Sequence, residues 1–211
     1  MNDTTNQDLT LRRHWLTLAA GQRRGVLLLI GLVLLVVVVS MLGESGREQL
    51  RYERAAVLDQ HQYWRLLTGH LVHGGWQHTW LNLTGLALIV ALFHGTYTTL
   101  QWLVIALLST ISIDLGMLLL MPQLQWYVGL SGVLHGLLTA GAVAWWQVED
   151  RRLAGILSAI LVGKLCWEQW HGALPLSGAL HVIVNAHLYG AIGGLLAGLL
   201  FIKRLLPAQN Q

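Results

Sequence analysis

The sequence predicts an all-α membrane protein, a bundle of six transmembrane helices, on three observations. Hydrophobic residues make up 55% of the 211 and charged residues only 11%, a balance that a water-soluble domain of this size could not cover with polar surface. Apolar runs reach or approach the roughly 20 residues that a helix rising ~1.5 Å per residue needs to cross a ~30 Å hydrocarbon core. Extended strand-like alternation is absent, which argues against a β-barrel.

Apolar segments fall near 26–42, 76–95, 100–120, 131–147, 153–169 and 180–202. They give six spans in one membrane domain, residues 26–202, between an N-terminal segment 1–25 and a tail 203–211. The first segment is apolar enough for a signal peptide. However, 25 residues precede it and no Ala-x-Ala pattern follows, so it reads as a retained helix. The second is diluted by His78 and Asn82, and the fifth by Lys164 and Glu168. Arg12, Arg13, Arg23 and Arg24 precede the first span, Arg151 and Arg152 separate the fourth from the fifth, and Lys203 and Arg204 follow the sixth. The positive-inside rule then puts both termini in the cytoplasm, as an even number of spans requires. Residues 43–75 form the one long outer loop, where Arg47, Arg51, Arg54 and Arg65 are balanced by Glu44, Glu48, Glu53 and Asp59. Trp64, Trp76, Trp80, Trp126, Trp167 and Trp170 mark the outer boundary, and Trp15, Trp102, Trp145 and Trp146 the inner one.

The net charge of +3 is concentrated at the ends of apolar runs rather than in a basic stripe, a pattern of membrane orientation and not of nucleic-acid binding. The partner it implies is the lipid bilayer. A single cysteine, Cys166, excludes an intramolecular disulfide.

Polar side chains within spans are functional candidates by default. In this topology His78, Asn82, Ser131 and His187, from three helices, share one layer within about 10 Å of the outer surface by helical rise. Gly129-Leu130-Ser131-Gly132 places a serine at a glycine-flanked helix entry, where free backbone amides can donate to a developing oxyanion; the plain alternative is a helix N-cap. His78 and Asn82, four residues apart on one helical face, can both donate side-chain hydrogen bonds into such a hole or form a packing pair between helices. His187, Gly190 and Gly194 form one stripe, and Gly132 and Gly136 a matching smooth face on the fourth span. Close approach of these helices would bring the His187 imidazole to the Ser131 hydroxyl, as activation of a nucleophile requires.

Together, Trp64-Arg65, His73-x4-His78-x3-Asn82, Gly129-x-Ser131-Gly132 and Ala186-His187-x2-Gly190-x3-Gly194 resemble the signature of rhomboid intramembrane serine proteases, over about residues 63–200. The resemblance implies a catalytic dyad of Ser131 and His187 and an oxyanion hole of His78, Asn82 and the Ser131 amide. It also implies structural roles for Arg65 and His73, and neither cofactor nor metal. The run Tyr127 to Gly136, with Lys164, Glu168 and Ala186-His187-Leu188, is similar to the rhombosortase branch. Where typical rhomboids carry a tyrosine that stacks on the catalytic histidine, this chain has His135, which leaves stacking, hydrogen bonding and titration open. The branch implies a Gram-negative inner membrane and a site opening to the periplasm. Its substrates would be membrane-anchored proteins whose C-terminal tail combines Gly-Gly, a transmembrane helix and a basic cluster.

Asp114, mid-span, reads as a protonated or hydrogen-bonded structural group. Lys164 and Glu168 are spaced to pair along their helix, and their place near its outer end also permits a substrate-gating role. No carboxylate is placed by the sequence to orient His187, so packing against His135 is expected to do it. His94, His171 and His181 show no usable spacing. Two other functions compete. A haem or metal protein could use the ten histidines, among them His70, His73 and His78, although an HExxH pattern is absent. A rhomboid-fold pseudoenzyme binding membrane segments would be marked by loss of the serine or the histidine, and both are present.

Overall fold

The apolar segments fold as helices in the computed structural model, which describes residues 25–93, 95–148, 151–173 and 182–205. Arg12, Arg13, Trp15, Arg23, Arg24, His94, His181, the expected start of the sixth span near 180, and the tail beyond 205 lie outside the described residues. Helix α1, Gly25–Met41, turns through 116° into α2, Gly43–Leu50. The turn is made at Gly43, whose φ of 69° is a left-handed conformation open to glycine at no Cβ cost.

The segment expected as a plain outer loop is structured. After α2 come strand β1 (Tyr52–Glu53), helix α3 (Arg54–Leu58) and helix α4 (Arg65–Thr68). Strand β1 pairs antiparallel with β2, Trp126–Tyr127, in the register Tyr52 to Tyr127 and Glu53 to Trp126. Two residues per strand are too few for an alternation to be read in sequence. Arg65 is buried in this layer, where its Nη1 donates to the carbonyls of Glu48 (2.8 Å) and Arg51 (2.9 Å) and its Nε to Gln62 Oε1 (2.6 Å).

The remaining helices are α5 (Trp76–Leu92), α6 (Thr99–Leu120), α7 (Ser131–Val148), α8 (Arg151–His171) and α9 (Val184–Leu205). Thr98 and Gln101 close a capping box at the start of α6, with Thr98 N–H donating to Gln101 Oε1 at 2.8 Å and Gln101 N–H to Thr98 Oγ1 at 3.3 Å. Its other end is held by Arg54, which donates to the orphan carbonyls of Met117 (3.2 Å) and Leu118 (3.0 Å). Helix α7 is central and packs against α5, α6, α8 and α9. The core combines Leu86 and Phe93 with Ile113, Met117, Leu130, Val133 and Ala186.

Leucines and isoleucines such as Leu107, Leu119, Ile160, Leu196 and Leu200 stand exposed on the outside, which is the surface a bilayer solvates and water does not. By length and composition α6 and residues Val184–Ile202 of α9 can cross a membrane, and the bent pair α1 and α2 makes a third candidate. The other long helices fall short, α5 because its 17 residues are too few, α7 and α8 through polar content, Ser131 and His135 in α7 and Arg151, Arg152, Lys164 and Glu168 in α8. The chain is a mostly helical, multi-pass membrane protein. Trp64, Trp76, Trp80, Trp126, Trp167 and Trp170 are all exposed, and Trp76 stacks on Trp80.

Candidate active site

Four glycines, Gly132 and Gly136 on α7 and Gly190 and Gly194 on α9, set the distance between the two helices that meet at the site. A Cβ at Gly190 would collide with the Gly132 carbonyl, and one at Gly194 with that of Gly136. In the other direction, a Cβ at Gly132 would come within 2.8 Å of the Ala186 oxygen. Helices α7 and α9 therefore cross backbone against backbone, which only small residues allow. Tyr189 reaches sideways over Gly116 of α6, and Ser112 Oγ–H donates to the Tyr189 carbonyl at 2.7 Å, so α9 is fixed on a second side.

This crossing brings His187 Nε2 to 3.0 Å from Ser131 Oγ, across 56 residues of sequence. Ser131 opens α7, where N–H groups lack intrahelical partners. The turn before it is shaped by Gly129, whose φ is 123°, a conformation rarely open to a side chain. Its N–H donates to the Gly69 carbonyl at 3.0 Å, and the Tyr127 hydroxyl donates to its carbonyl at 2.7 Å. A Cβ at Gly129 would lie 2.9 Å from His78 Nε2, so the missing side chain is what lets the His78 ring settle beside the serine turn.

The tautomers follow from the partners. Gly74 N–H donates to His78 Nδ1 at 3.3 Å, which leaves the His78 proton on Nε2, the nitrogen nearest Gly129. Asn82, one turn further into α5 and buried, donates one amide hydrogen to the His78 carbonyl at 3.1 Å and keeps a second. His73 lies outside the helix, edge-on to His78 with centroids 5.0 Å apart. Its Nδ1–H donates to the Leu71 carbonyl at 3.1 Å. Burial and the neighbouring His78 push its pKa down to about 4, so His73 is neutral at physiological pH.

His135 stacks on His187, with centroids 4.1 Å apart and planes 16° from parallel. Its Nδ1 lies 2.7 Å from the Ser131 carbonyl; a carbonyl only accepts, so that nitrogen carries the proton. Of the three roles left open by the sequence, His135 takes two, the stack and the hydrogen bond.

The expectation that no carboxylate orients His187 is overturned. Glu168 Oε2 is 2.9 Å from His187 Nδ1, and Lys164 Nζ donates to Glu168 Oε1 at 2.6 Å. The Lys164 and Glu168 pair is the one the spacing predicts, but the rotation of α8 that turns the carboxylate toward α9 cannot be read from one helix. The available signal was a carboxylate in an apolar helix at the depth of His187. Asp114 bonds His70 Nε2 at 3.2 Å, joining α6 to the segment after α4, and His171 stacks on Trp167.

His135, Glu168 and His187 place one potential ligand atom each within 4.8 Å of one another. A metal ion does not suit them. Imidazole lone pairs lie in the ring plane, and two rings stacked nearly parallel direct theirs side by side rather than at one point. What the arrangement suits is proton transfer from a hydroxyl to a neutral imidazole, with donors nearby for an oxygen that gains charge.

Comparison with known proteins agrees on the family. A family model described as Rhomboid domain matches residues 60–204, more than half of the 211-residue chain and all of the residues just described. No curated protein and no solved structure gives a significant match. The chain belongs to the rhomboid family, a family of the intramembrane-protease type.

Proposed function

We propose that this protein is an intramembrane serine endopeptidase of the rhombosortase branch, with Ser131 as nucleophile and His187 as general base. The observation that carries the reading is the 3.0 Å contact between Ser131 Oγ and His187 Nε2. The hydroxyl proton passes to Nε2 as Oγ bonds to the substrate carbonyl carbon, and the carbonyl oxygen takes the displaced electron pair. His78 Nε2–H, the free Asn82 hydrogen and the Ser131 amide receive that oxygen. The proton on Nε2 then goes to the leaving amine, and the acyl-enzyme is resolved by water or an amine. Loss of the serine or histidine would mark a pseudoenzyme; here both are present and in contact.

In this reading the six long helices are six spans, with both termini cytoplasmic and the Trp-rich end with residues 43–75 facing the periplasm of a Gram-negative inner membrane. The site then opens near the outer end of the spans and reaches peptide bonds near the outer end of a substrate helix, which must unwind locally to present its backbone. Glycine lowers the cost of that unwinding by about 1 kcal/mol per residue relative to alanine and fits a narrow cleft. The proposed substrates are exported proteins anchored by a C-terminal tail of Gly-Gly, an apolar span and cytoplasmic arginines. A reporter carrying this tail is expected to be shortened and released from the membrane fraction when coexpressed with the enzyme. Equal processing after Gly-Gly is replaced by Leu-Leu would sink the proposed specificity and leave the Ser131 chemistry standing.

The stack on His187 gives a further expected result. His135→Tyr should retain more turnover than His135→Ala, because a tyrosine ring can take the same face of His187. Equal rates in the two variants would show that the ring has no role.

A further inference from the structure

We infer that Glu168 makes the site a triad rather than a dyad: its carboxylate fixes and supports His187, and Lys164 holds the carboxylate in place. The inference rests on the serine protease reading above.

The hydrogen-bond chain runs in one direction only. Lys164 Nζ is a pure donor, so Glu168 Oε1 accepts from it at 2.6 Å. Glu168 Oε2 is likewise an acceptor, so His187 Nδ1, 2.9 Å away, must be the donor and carry the ring proton. That leaves His187 Nε2 with a free lone pair, aimed at Ser131 Oγ. The tautomer needed in a general base is therefore selected by Glu168. The His135 stack cannot select it, since a ring face holds the plane of His187 but does not distinguish Nδ1 from Nε2.

Burial argues in the same direction. Glu168 is 3% and His187 4% exposed, and a carboxylate at such a place is costly unless both its oxygens are engaged. Both are. For packing between α8 and α9 alone, an apolar side chain would serve without that cost.

The charges then alternate through the reaction. At rest Lys164 is positive, Glu168 negative, and His187 and Ser131 neutral, so the chain sums to zero. When the Ser131 proton moves to His187 Nε2 and Oγ bonds to the carbonyl carbon, the order becomes positive, negative, positive, negative, ending on the oxyanion. The sum is again zero, and every ion neighbours an opposite charge. The Nδ1 proton stays on His187 throughout, and Glu168 neither gains nor loses one. Glu168 is thus a positioning residue, acting on the substrate only through His187.

The test is the rate of fluorophosphonate labelling at Ser131, resolved into kinact and KI, in the full-length protein in detergent. For Glu168→Gln, which keeps the shape and removes the charge, kinact is expected to fall about 10³- to 10⁴-fold with KI unchanged. The low-field proton resonance of His187 Nδ1–H should vanish while the Tm is retained. Glu168→Asp, which restores the charge at shorter reach, should recover part of the loss. Because Glu168→Gln leaves Lys164 without its partner, Lys164→Met with Glu168→Gln serves as the second variant and should stay as slow. A kinact within tenfold of wild type in either, or a wild type lacking the low-field resonance, overturns the triad; if Ser131→Ala and His187→Ala remain dead, the dyad stands. A wild-type protein that takes no label at Ser131 removes both.

Discussion

Replacing Ser131 or His187 by alanine is expected to lower turnover by about a millionfold, the scale on which nucleophile and base fail in soluble serine proteases. The two side chains share one proton across a 3.0 Å contact, so neither retains its function without the other. Each single variant should be as inactive as the double. A chelator should leave wild-type turnover unchanged, because the stacked rings of His135 and His187 do not converge on an ion. The checks are cleavage of a tailed reporter and covalent labelling at Ser131. Turnover in Ser131→Ala above a tenth of wild type, or chelator inhibition reversed by zinc, would overturn the assignment.

The second large effect is expected from a single methyl group that touches no reacting atom. In Gly190→Ala the new Cβ lands on the Gly132 carbonyl, and neither backbone can step aside without moving its helix. Overpacking of this kind typically costs about 1–3 kcal/mol, and each kcal/mol lowers the Tm of a chain this size by roughly 2–4 °C. Turnover should fall as well, since His187 sits one turn from the contact and small misplacements of a base are costly. Gly163→Ala is the control. That glycine meets nothing within 4 Å, and alanine favours the helix by up to about 1 kcal/mol. Thermal unfolding of the three proteins in one detergent decides the matter; a Gly190→Ala Tm equal to that of wild type would refute the backbone contact as a determinant of stability.

The residues legible in the sequence are those whose signal is local. The glycine stripes at 132 and 136 and at 190 and 194 imply a close helix crossing, and that crossing carries His187 to Ser131. The Lys164 and Glu168 pair follows from spacing along one helix. Glu168 against His187 was not legible, because the direction of a carboxylate depends on how α8 is rotated toward α9, and one apolar helix does not encode its own rotation strongly. For the same reason Asp114 could be read as hydrogen-bonded while its partner, His70, could not be named. The strand pair at Tyr52 and Tyr127 leaves no trace in the sequence, because two residues carry no period. The sixth segment was expected from about 180, whereas its described helix opens at Val184, which places His187 in the first turn.

The order of the helices along the chain has a consequence for biosynthesis. In the proposed mechanism the nucleophile lies on α7 and its base on α9, so a nascent chain inserted through α7 holds Ser131 beside no imidazole from His187. The carboxylate of Glu168 arrives next, and only docking of α9 into the glycine groove of α7 joins the three. A protease of the proposed kind, assembled in this order, would stay inert while it is made and become competent only in the step that completes its fold, sparing the half-inserted helices around it.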